Sequence, residues 1–242
     1  MKPNKRAGRA GKIMVRASTL VLDALEKRVE SVCLRRDAFL ERVIRKEVEH
    51  LSEEVRIPNS DAARRCIEDN LRLLDSRPIN LTLTELTVGR MEEVCKEKNT
   101  PRDAFINRIL LCLVAPPSVL HVIFGVHELK EEVLEEWETP GFGSLWSPLR
   151  SMEEFVEDPF WFVRACMEVE RKQSGDEDVT FYQAYIPDNL FGEKVRGTLG
   201  LNVYLPDSLV PAHPGERALL DDLGAELDEL SQKMPKTKGD IK

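Results

Sequence analysis

The chain lacks the long apolar run that a membrane span requires. About 18 consecutive apolar residues are needed, and the longest candidate, 109–117, ends in paired prolines. Its basic start is not followed by the apolar stretch of a secretory signal. No P-loop, GxGxxG or GxSxG occurs, which removes the usual sequence marks of nucleotide binding and of acyl transfer. Cysteines are few, odd in number and widely spaced (Cys33, Cys66, Cys95, Cys112 and Cys166). That pattern argues against a zinc ribbon or a disulfide framework and for free thiols in the cytoplasm. The histidines His50, His121, His127 and His213 have no metal-ligand spacing with one another or with cysteine. The sequence therefore leads to the expectation of a cytoplasmic, non-enzymatic protein with no cofactor and no metal.

Acidic residues are missing from one stretch: the first 22 residues hold Lys2, Lys5, Arg6, Arg9, Lys12 and Arg16 and no Asp or Glu. The overall net charge of −8 hides this asymmetry. Residues 1–116 carry a net charge of +5 and residues 117–242 one of −13. A basic half joined to an acidic half implies a polyanion partner for the first and a different task for the second. With Gly8 and Gly11 interleaved, residues 1–11 read as a flexible basic arm.

What the basic half does contain is a repeat. Arg36-Asp37-Ala38-Phe39 recurs as Arg102-Asp103-Ala104-Phe105, an offset of 66. The same offset pairs Ile13 with Ile79, Val15 with Leu81, Ala17 with Leu83, Leu22 with Val88 and Leu25 with Met91. It also pairs Val29 with Cys95, Leu40 with Ile106, Arg42 with Arg108 and Val43 with Ile109. Apolar phase kept over such a length marks 12–51 and 78–116 as two copies of one unit.

Each copy begins with alternation. Ile13, Val15 and Ala17 lie on one face and Lys12, Met14 and Arg16 on the other. In the second copy Ile79, Leu81 and Leu83 oppose Pro78, Asn80 and Thr82. A period of two predicts a short strand with one buried face. Ser18 and Thr84 offer N-cap oxygens to a following helix, with apolar residues spaced three and four apart. A break at 33–35 and 98–100 leads to a second helix with the buried stripe Phe39, Leu40, Val43, Ile44, Val48 and Leu51, or Phe105, Ile106, Ile109, Leu110 and Leu113. A lone strand cannot stand with both edges open, so the two strands are expected to pair antiparallel within the chain, the competing reading being that two chains pair copy with copy. Between the copies, 52–77 reads as a spacer whose helix starts at Asn59-Ser60-Asp61. The outward face of such a ribbon would carry side chains that read base edges in the major groove.

At Ile13–Ser18 with Arg36–Leu40, and at Ile79–Thr84 with Arg102–Ile106, the chain resembles the ribbon–helix–helix family of bacterial DNA-binding proteins. A minority of that family carries two copies in tandem. The resemblance covers about 80 residues and does not extend to 117–242. It implies base reading by alternate outward strand residues, here Lys12, Met14, Arg16, Asn80 and Thr82, with Pro78 completing the face. It also implies phosphate binding at the start of each second helix, here Arg35, Arg36, Thr100 and Arg102. The arm residues Lys5, Arg6 and Arg9 add candidate phosphate contacts. The family's turn glycine is replaced here by Cys33 and Asn99, and its Ser or Thr cap by Arg35 and Pro101; Thr100 stands one residue early as a possible cap.

For 117–232 the sequence predicts an acidic α+β domain, with helices near 118–124, 126–138, 151–158 and 160–172. Strands are predicted at 180–186 and 199–205, a last helix at 214–232, and a mobile tail at 233–242. Glu131, Glu132, Glu135 and Glu136 read as a solvated face, and Trp146, Phe155, Phe160, Trp161 and Phe162 as core. The expected fold is thus mainly α with a short β ribbon: two ribbon–helix–helix repeats in tandem plus the C-terminal acidic domain. The expected function is sequence-specific binding of double-stranded DNA, as a transcriptional repressor or regulator or a mobile-element accessory factor. Protein contact or self-association would run through 117–242. The alternative is an antitoxin-type protein whose acidic half masks a protein partner.

Overall fold

In a computed structural model of the chain, the residues described are 10–31, 33–124, 158–160, 163–164, 166–168, 171, 179–188, 190–192 and 194–210. The order of elements is β1 (Ala10–Ser18), α1 (Thr19–Ser31), α2 (Arg36–Glu54), α3 (Asp61–Leu73), β2 (Ser76–Thr84), α4 (Glu85–Glu97), α5 (Arg102–Val114) and α6 (Pro117–Phe124). Two short 3-10 turns follow at Thr198–Leu201 and Asp207–Leu209. The structure is mainly helical with one small sheet, in which β1 and β2 pair antiparallel within the chain.

The strands form where the alternation places them. Ile13, Val15 and Ala17 of β1 and Ile79, Leu81 and Leu83 of β2 are buried on the helix side. The register sets Lys12 opposite Thr82, Met14 opposite Asn80 and Arg16 opposite Pro78, so the intervening residues share the other face. Helix starts are fixed locally in two cases. The Thr84 hydroxyl accepts the Thr87 N–H at the start of α4, and the Ser60 hydroxyl accepts that of Ala63 at the start of α3. The offset of 66 recurs in the elements: β1 and β2, α1 and α4, and α2 and α5 each begin that far apart. The turns agree, since Cys33 (φ 55°) and Asn99 (φ 50°) are the positive-φ residues other than glycine among those described.

The helices interlock. α2 packs against β2 and α4, whereas α5 packs against β1 and α1. Behind the ribbon one hydrophobic core runs from Ile13 and Leu22 through Ile44, Leu81 and Phe105 to Phe124, Phe160, Phe181, Tyr182 and Val203. It is continuous across Pro116-Pro117, and the described residues up to Ser208 belong to one compact unit. Burial of each Leu, Ile, Val or Phe side chain in such a core contributes about 1.5–3 kcal/mol.

Two expected strands are not formed. Residues 181–184 make a turn, and Thr198–Leu201 is a 3-10 helix. Phe181 and Tyr182 are neighbours in sequence and both buried, which a half-buried strand does not allow. Asn202 replaces a strand partner: its Oδ1 accepts the Ile186 N–H at 2.7 Å and its Nδ2 donates to the Ile186 carbonyl at 2.9 Å. Gly197, at φ 82°, and Gly200 bring this segment against the end of α3, where a Cβ would run into the backbone of Asn70 and Leu71. In the segment expected to be helical from Phe160, helix is present at 163–164, 166–168 and 171. Ala10 and Gly11, expected to end the flexible arm, instead begin β1. Residues 1–9, the helices expected at 126–138 and 214–232, residues 151–157 of the helix expected there, the four glutamates 131, 132, 135 and 136, Trp146, Phe155, Trp161, Phe162, His127, His213 and the tail lie outside the described residues.

Among the described residues, no helix is long and apolar enough to cross a membrane.

Candidate nucleic-acid interface

The ribbon's solvent face is built from three cross-strand pairs: Lys12 with Thr82, Met14 with Asn80, and Arg16 with Pro78. Lys12, Met14, Arg16, Pro78 and Asn80 are exposed and Thr82 is half-buried. Met14 is 63% exposed, a large apolar side chain in open solvent at the centre of the face. Arg16 bends toward the other strand, where its Nε donates to Ser76 Oγ at 3.3 Å and its Nη2 to the Ser76 carbonyl at 3.2 Å. The five residues expected to read bases are thus brought together on one face.

A two-stranded sheet has two open edges, and their backbone groups need partners. The recurrent Arg-Asp pair provides them, each time across to the other segment's strand. Arg36 Nη2 donates to the Asn80 carbonyl of β2 at 3.0 Å, and Arg102 Nη2 to the Met14 carbonyl of β1 at 2.7 Å. Asp37 Oδ2 accepts the Thr82 N–H at 3.0 Å, and Asp103 Oδ2 accepts the Arg16 N–H at 3.1 Å. One turn on, Glu41 accepts the Thr84 N–H at 2.8 Å, while Asn107 accepts the Ser18 N–H at 2.7 Å and donates to the Arg16 carbonyl at 2.8 Å. The first turns of α2 and α5 therefore close the edges of the ribbon and fix its face. Pro78 fits on β2 because it stands opposite Arg16, whose backbone N–H and carbonyl bond Asp103 and Asn107 at the edge rather than the ladder, so no ladder bond is asked of Pro78.

The residues expected to bind phosphate are dispersed. Arg36 and Arg102 hold strand carbonyls, and Arg36 also pairs with Glu26 and Asp37 at 3.1 and 2.9 Å. Arg35 is exposed at the start of α2. Thr100 corrects the expectation made for it. It is buried, its hydroxyl donates to the Val203 carbonyl at 2.8 Å, and it receives a hydrogen bond from Asn59 Nδ2 at 3.1 Å. It does not cap α5 either, since the N-cap is Pro101 with no side-chain bond. The fold of 203–205 over this turn removes Thr100 from the surface. Lys5, Arg6 and Arg9 lie outside the described residues.

A second polar cluster joins α2 to the C-terminal half. Glu47 is completely buried, and Arg164 Nη2 reaches its Oε2 at 2.8 Å. Tyr182 donates to the same oxygen at 2.5 Å. Arg164 also pairs with Glu54 at 2.8 Å and Asp158 at 2.6 Å, and its guanidinium lies 4.6 Å from the Phe181 ring centre. Burial pushes the Glu47 carboxyl up, and Arg164 opposes that shift. His50 stands 3.8 Å from Glu54 and 3.7 Å from Asp158. Burial pulls its imidazole down, aided by Arg164. Glu47, His50 and Asp158 come close enough together to share a metal ion, but Arg164 already forms ion pairs with two of the three, Glu47 and Asp158. The arrangement is that of an internal ion-pair network.

The cluster had one sequence signal: Glu47 falls on the apolar stripe of its helix, between Ile44 and Val48. Asn107 and Arg108 interrupt the apolar run of α5 in the same way. Arg108 is fully buried, donates to the Phe181 carbonyl at 2.6 Å, and has its Nε and Nη1 without hydrogen-bond partners among the described residues. No protein-family model, curated protein or solved structure matches the chain.

Proposed function

We propose that this protein binds double-stranded DNA in a sequence-specific manner, laying the β1–β2 ribbon into the major groove as a transcriptional regulator or mobile-element accessory factor. In this reading the two strand–helix–helix segments are tandem ribbon–helix–helix copies, and one chain supplies one complete ribbon. The observation that carries it is the composition of the solvent face: Lys12, Arg16, Asn80 and Thr82, with Met14 between them, in cross-strand register on a sheet whose opposite face is core.

The chemistry suits base edges. Arg and Lys donate to guanine O6 and N7, Asn matches adenine N6 and N7, and an apolar side chain packs against the thymine methyl. Two strands at sheet spacing fit within a groove about 12 Å wide. The Arg16 side chain is held by Ser76 at the end of the ribbon, and swinging it into the groove replaces those two bonds with bonds to a base. The two strands present different residues, so the minimal site is non-palindromic, and palindromy returns only with two chains side by side.

Selection of bound duplexes from a random pool by the full chain tests this reading. A consensus is expected. Arg16→Ala should weaken binding to that consensus by about 1–3 kcal/mol and relax preference at one base position. A pool that stays random, or an Arg16→Ala protein with unchanged preference and affinity, overturns base reading by the ribbon.

A further inference from the structure

The exposed face of α2 carries a feature that the ribbon does not use. Arg35, at the cap, and Arg42, Arg45 and Lys46 are all exposed, and Ala38 between them leaves the face flat. These positions fall on the side of the helix opposite its core residues Leu40, Ile44 and Leu51. None of the four basic side chains forms an ion pair or hydrogen bond with a described residue. The nearest acid on that face, Glu49, is held by Arg90 at 2.9 Å.

At the corresponding positions of α5 stand Pro101, Arg108, Leu111 and Cys112, with Ala104 matching Ala38, and all five are buried. The same helix position is interior in one segment and an exposed cationic surface in the other. No large exposed apolar residue lies on this face of α2; those of the described chain are Met14, Leu20, Ile57, Leu73, Leu86, Val122, Val179 and Leu209. A protein interface is built around a buried apolar or aromatic core, and this face offers none. Between Arg35 and Lys46 its charged residues are all basic, the signature of a phosphate surface.

Its position relative to the ribbon narrows the partner further. α2 begins at the edge of β2, where Arg36 holds the Asn80 carbonyl. Arg35 therefore sits at the ribbon's flank. From Arg35 to Lys46 the helix rises about 16 Å at 1.5 Å per residue, the axial length of roughly five phosphates of one DNA strand.

We propose that the Arg35–Lys46 face of α2 is a second phosphate-binding surface, engaged by the duplex flank beyond β2 and matched by nothing on α5. This rests on the ribbon being a DNA reader. A duplex in the ribbon then extends its contacts on one side only, bending toward α2 to reach Arg42, Arg45 and Lys46.

The test is the combined variant Arg42→Gln, Arg45→Gln and Lys46→Gln in the full chain. Arg56→Gln, Arg65→Gln and Arg72→Gln, at exposed positions off this face, form a control with the same change of charge. Binding to the selected duplex is measured against salt concentration. The α2 variant should keep its base preference while the log–log salt slope falls by about 2–3. Hydroxyl-radical protection should disappear on one flank of the site only. The control should retain both slope and footprint. A slope unchanged in the α2 variant, or reduced equally in the control, overturns the second surface. If the unmodified chain shows no preference among duplexes, the ribbon reading falls first and takes this proposal with it. A preference retained with an unchanged slope leaves the ribbon reading standing and removes only the α2 surface.

Discussion

α2 and α5 start on the same four residues and lie along the strand of the opposite segment, yet they occupy different surroundings. From Ala104 to Leu113 every residue of α5 is buried. On α2 the core face alternates with exposed Arg42, Arg45, Lys46 and Glu49. The difference arises outside both helices. Phe124, Phe181 and the 198–205 segment close over α5 and the turn before it, so Thr100 and Pro101 become interior. Among the described residues nothing comparable closes over the turn at Leu34 and Arg35 in the first segment, which border an open cavity of about 790 Å³. One strand–helix–helix plan thus serves as a surface element in one segment and as the centre of a larger core in the other. The shared Arg-Asp pair belongs to the ribbon, and the residues that differ record what covers each helix.

The comparison breaks most sharply at a pair of alanines. Ala38 is exposed and Ala104 fully buried, although both are the third residue of Arg-Asp-Ala-Phe. Ala104→Asp forces a larger, charged side chain into a filled core, and the buried Arg108 one turn on offsets only part of that cost, so loss of about 4–5 kcal/mol is expected. Ala38→Asp should stay within about 0.5 kcal/mol, with any bias favourable because an acid suits the first turn of a helix. Urea unfolding followed by circular dichroism separates the two. Equal tolerance at both sites would mean that α5 is not enclosed.

The next effect concerns Glu47, whose counterpart on α5 is Leu113. The first segment buries a carboxylate where the second buries a leucine, and Arg164 is the reason the carboxylate is tolerated. Arg164→Ala should cost about 3–5 kcal/mol, because it leaves Glu47 charged and unpaired in the interior. Glu47→Leu combined with Arg164→Met copies the apolar solution of α5 and should cost less than Arg164→Ala alone, as buried ion pairs are often replaceable by apolar groups of similar volume. If the double variant is the less stable of the two, the network contributes net stability beyond the compensation of its own charges.

How much of this was readable beforehand follows the range of the interactions. Strand faces, helix stripes and the paired turns depend on neighbours within a few residues, and the offset of 66 repeats those signals, so Ile13 and Ile79 or Cys33 and Asn99 could be matched from sequence alone. The role of Arg36 and Arg102 was not legible. An arginine at a helix start is as good a phosphate ligand as a strand-edge donor, and only the fold shows that the carbonyls of Asn80 and Met14 are in reach. Arg164 and Glu47 are 117 residues apart in the chain, with no local pattern connecting them. The apparent alternation at 180–186 misled because Asn202 satisfies the Ile186 backbone with its side chain, a substitution for β pairing that periodicity does not reveal.

The smallest expected effect is also the one that isolates local backbone preference. Cys33 and Asn99 hold nearly the same left-handed conformation, with φ of 55° and 50°, which costs an ordinary L-residue about 1–2 kcal/mol and glycine nothing comparable. Asn99 tolerates it better than cysteine does and adds bonds of its own. Its Nδ2 donates to the Asn59 carbonyl at 3.0 Å and to Asp61 Oδ1 at 3.1 Å, and its Oδ1 accepts from Arg64 at 3.3 Å. The exposed Cys33 side chain makes no hydrogen bond with a described residue. Cys33→Gly removes the steric penalty and gives up little, so it should stabilise the chain by up to about 1 kcal/mol after the extra freedom of glycine in the unfolded state is subtracted. Asn99→Gly relieves less strain and loses three hydrogen bonds at about 0.5–1.5 kcal/mol each, so it should destabilise by about 1–2 kcal/mol. Denaturant midpoints at unchanged slope would give the opposite signs directly. Shifts in the same direction would show that the turn conformation alone decides stability at both positions and that the Asn59–Asp61 contact to the second turn contributes nothing.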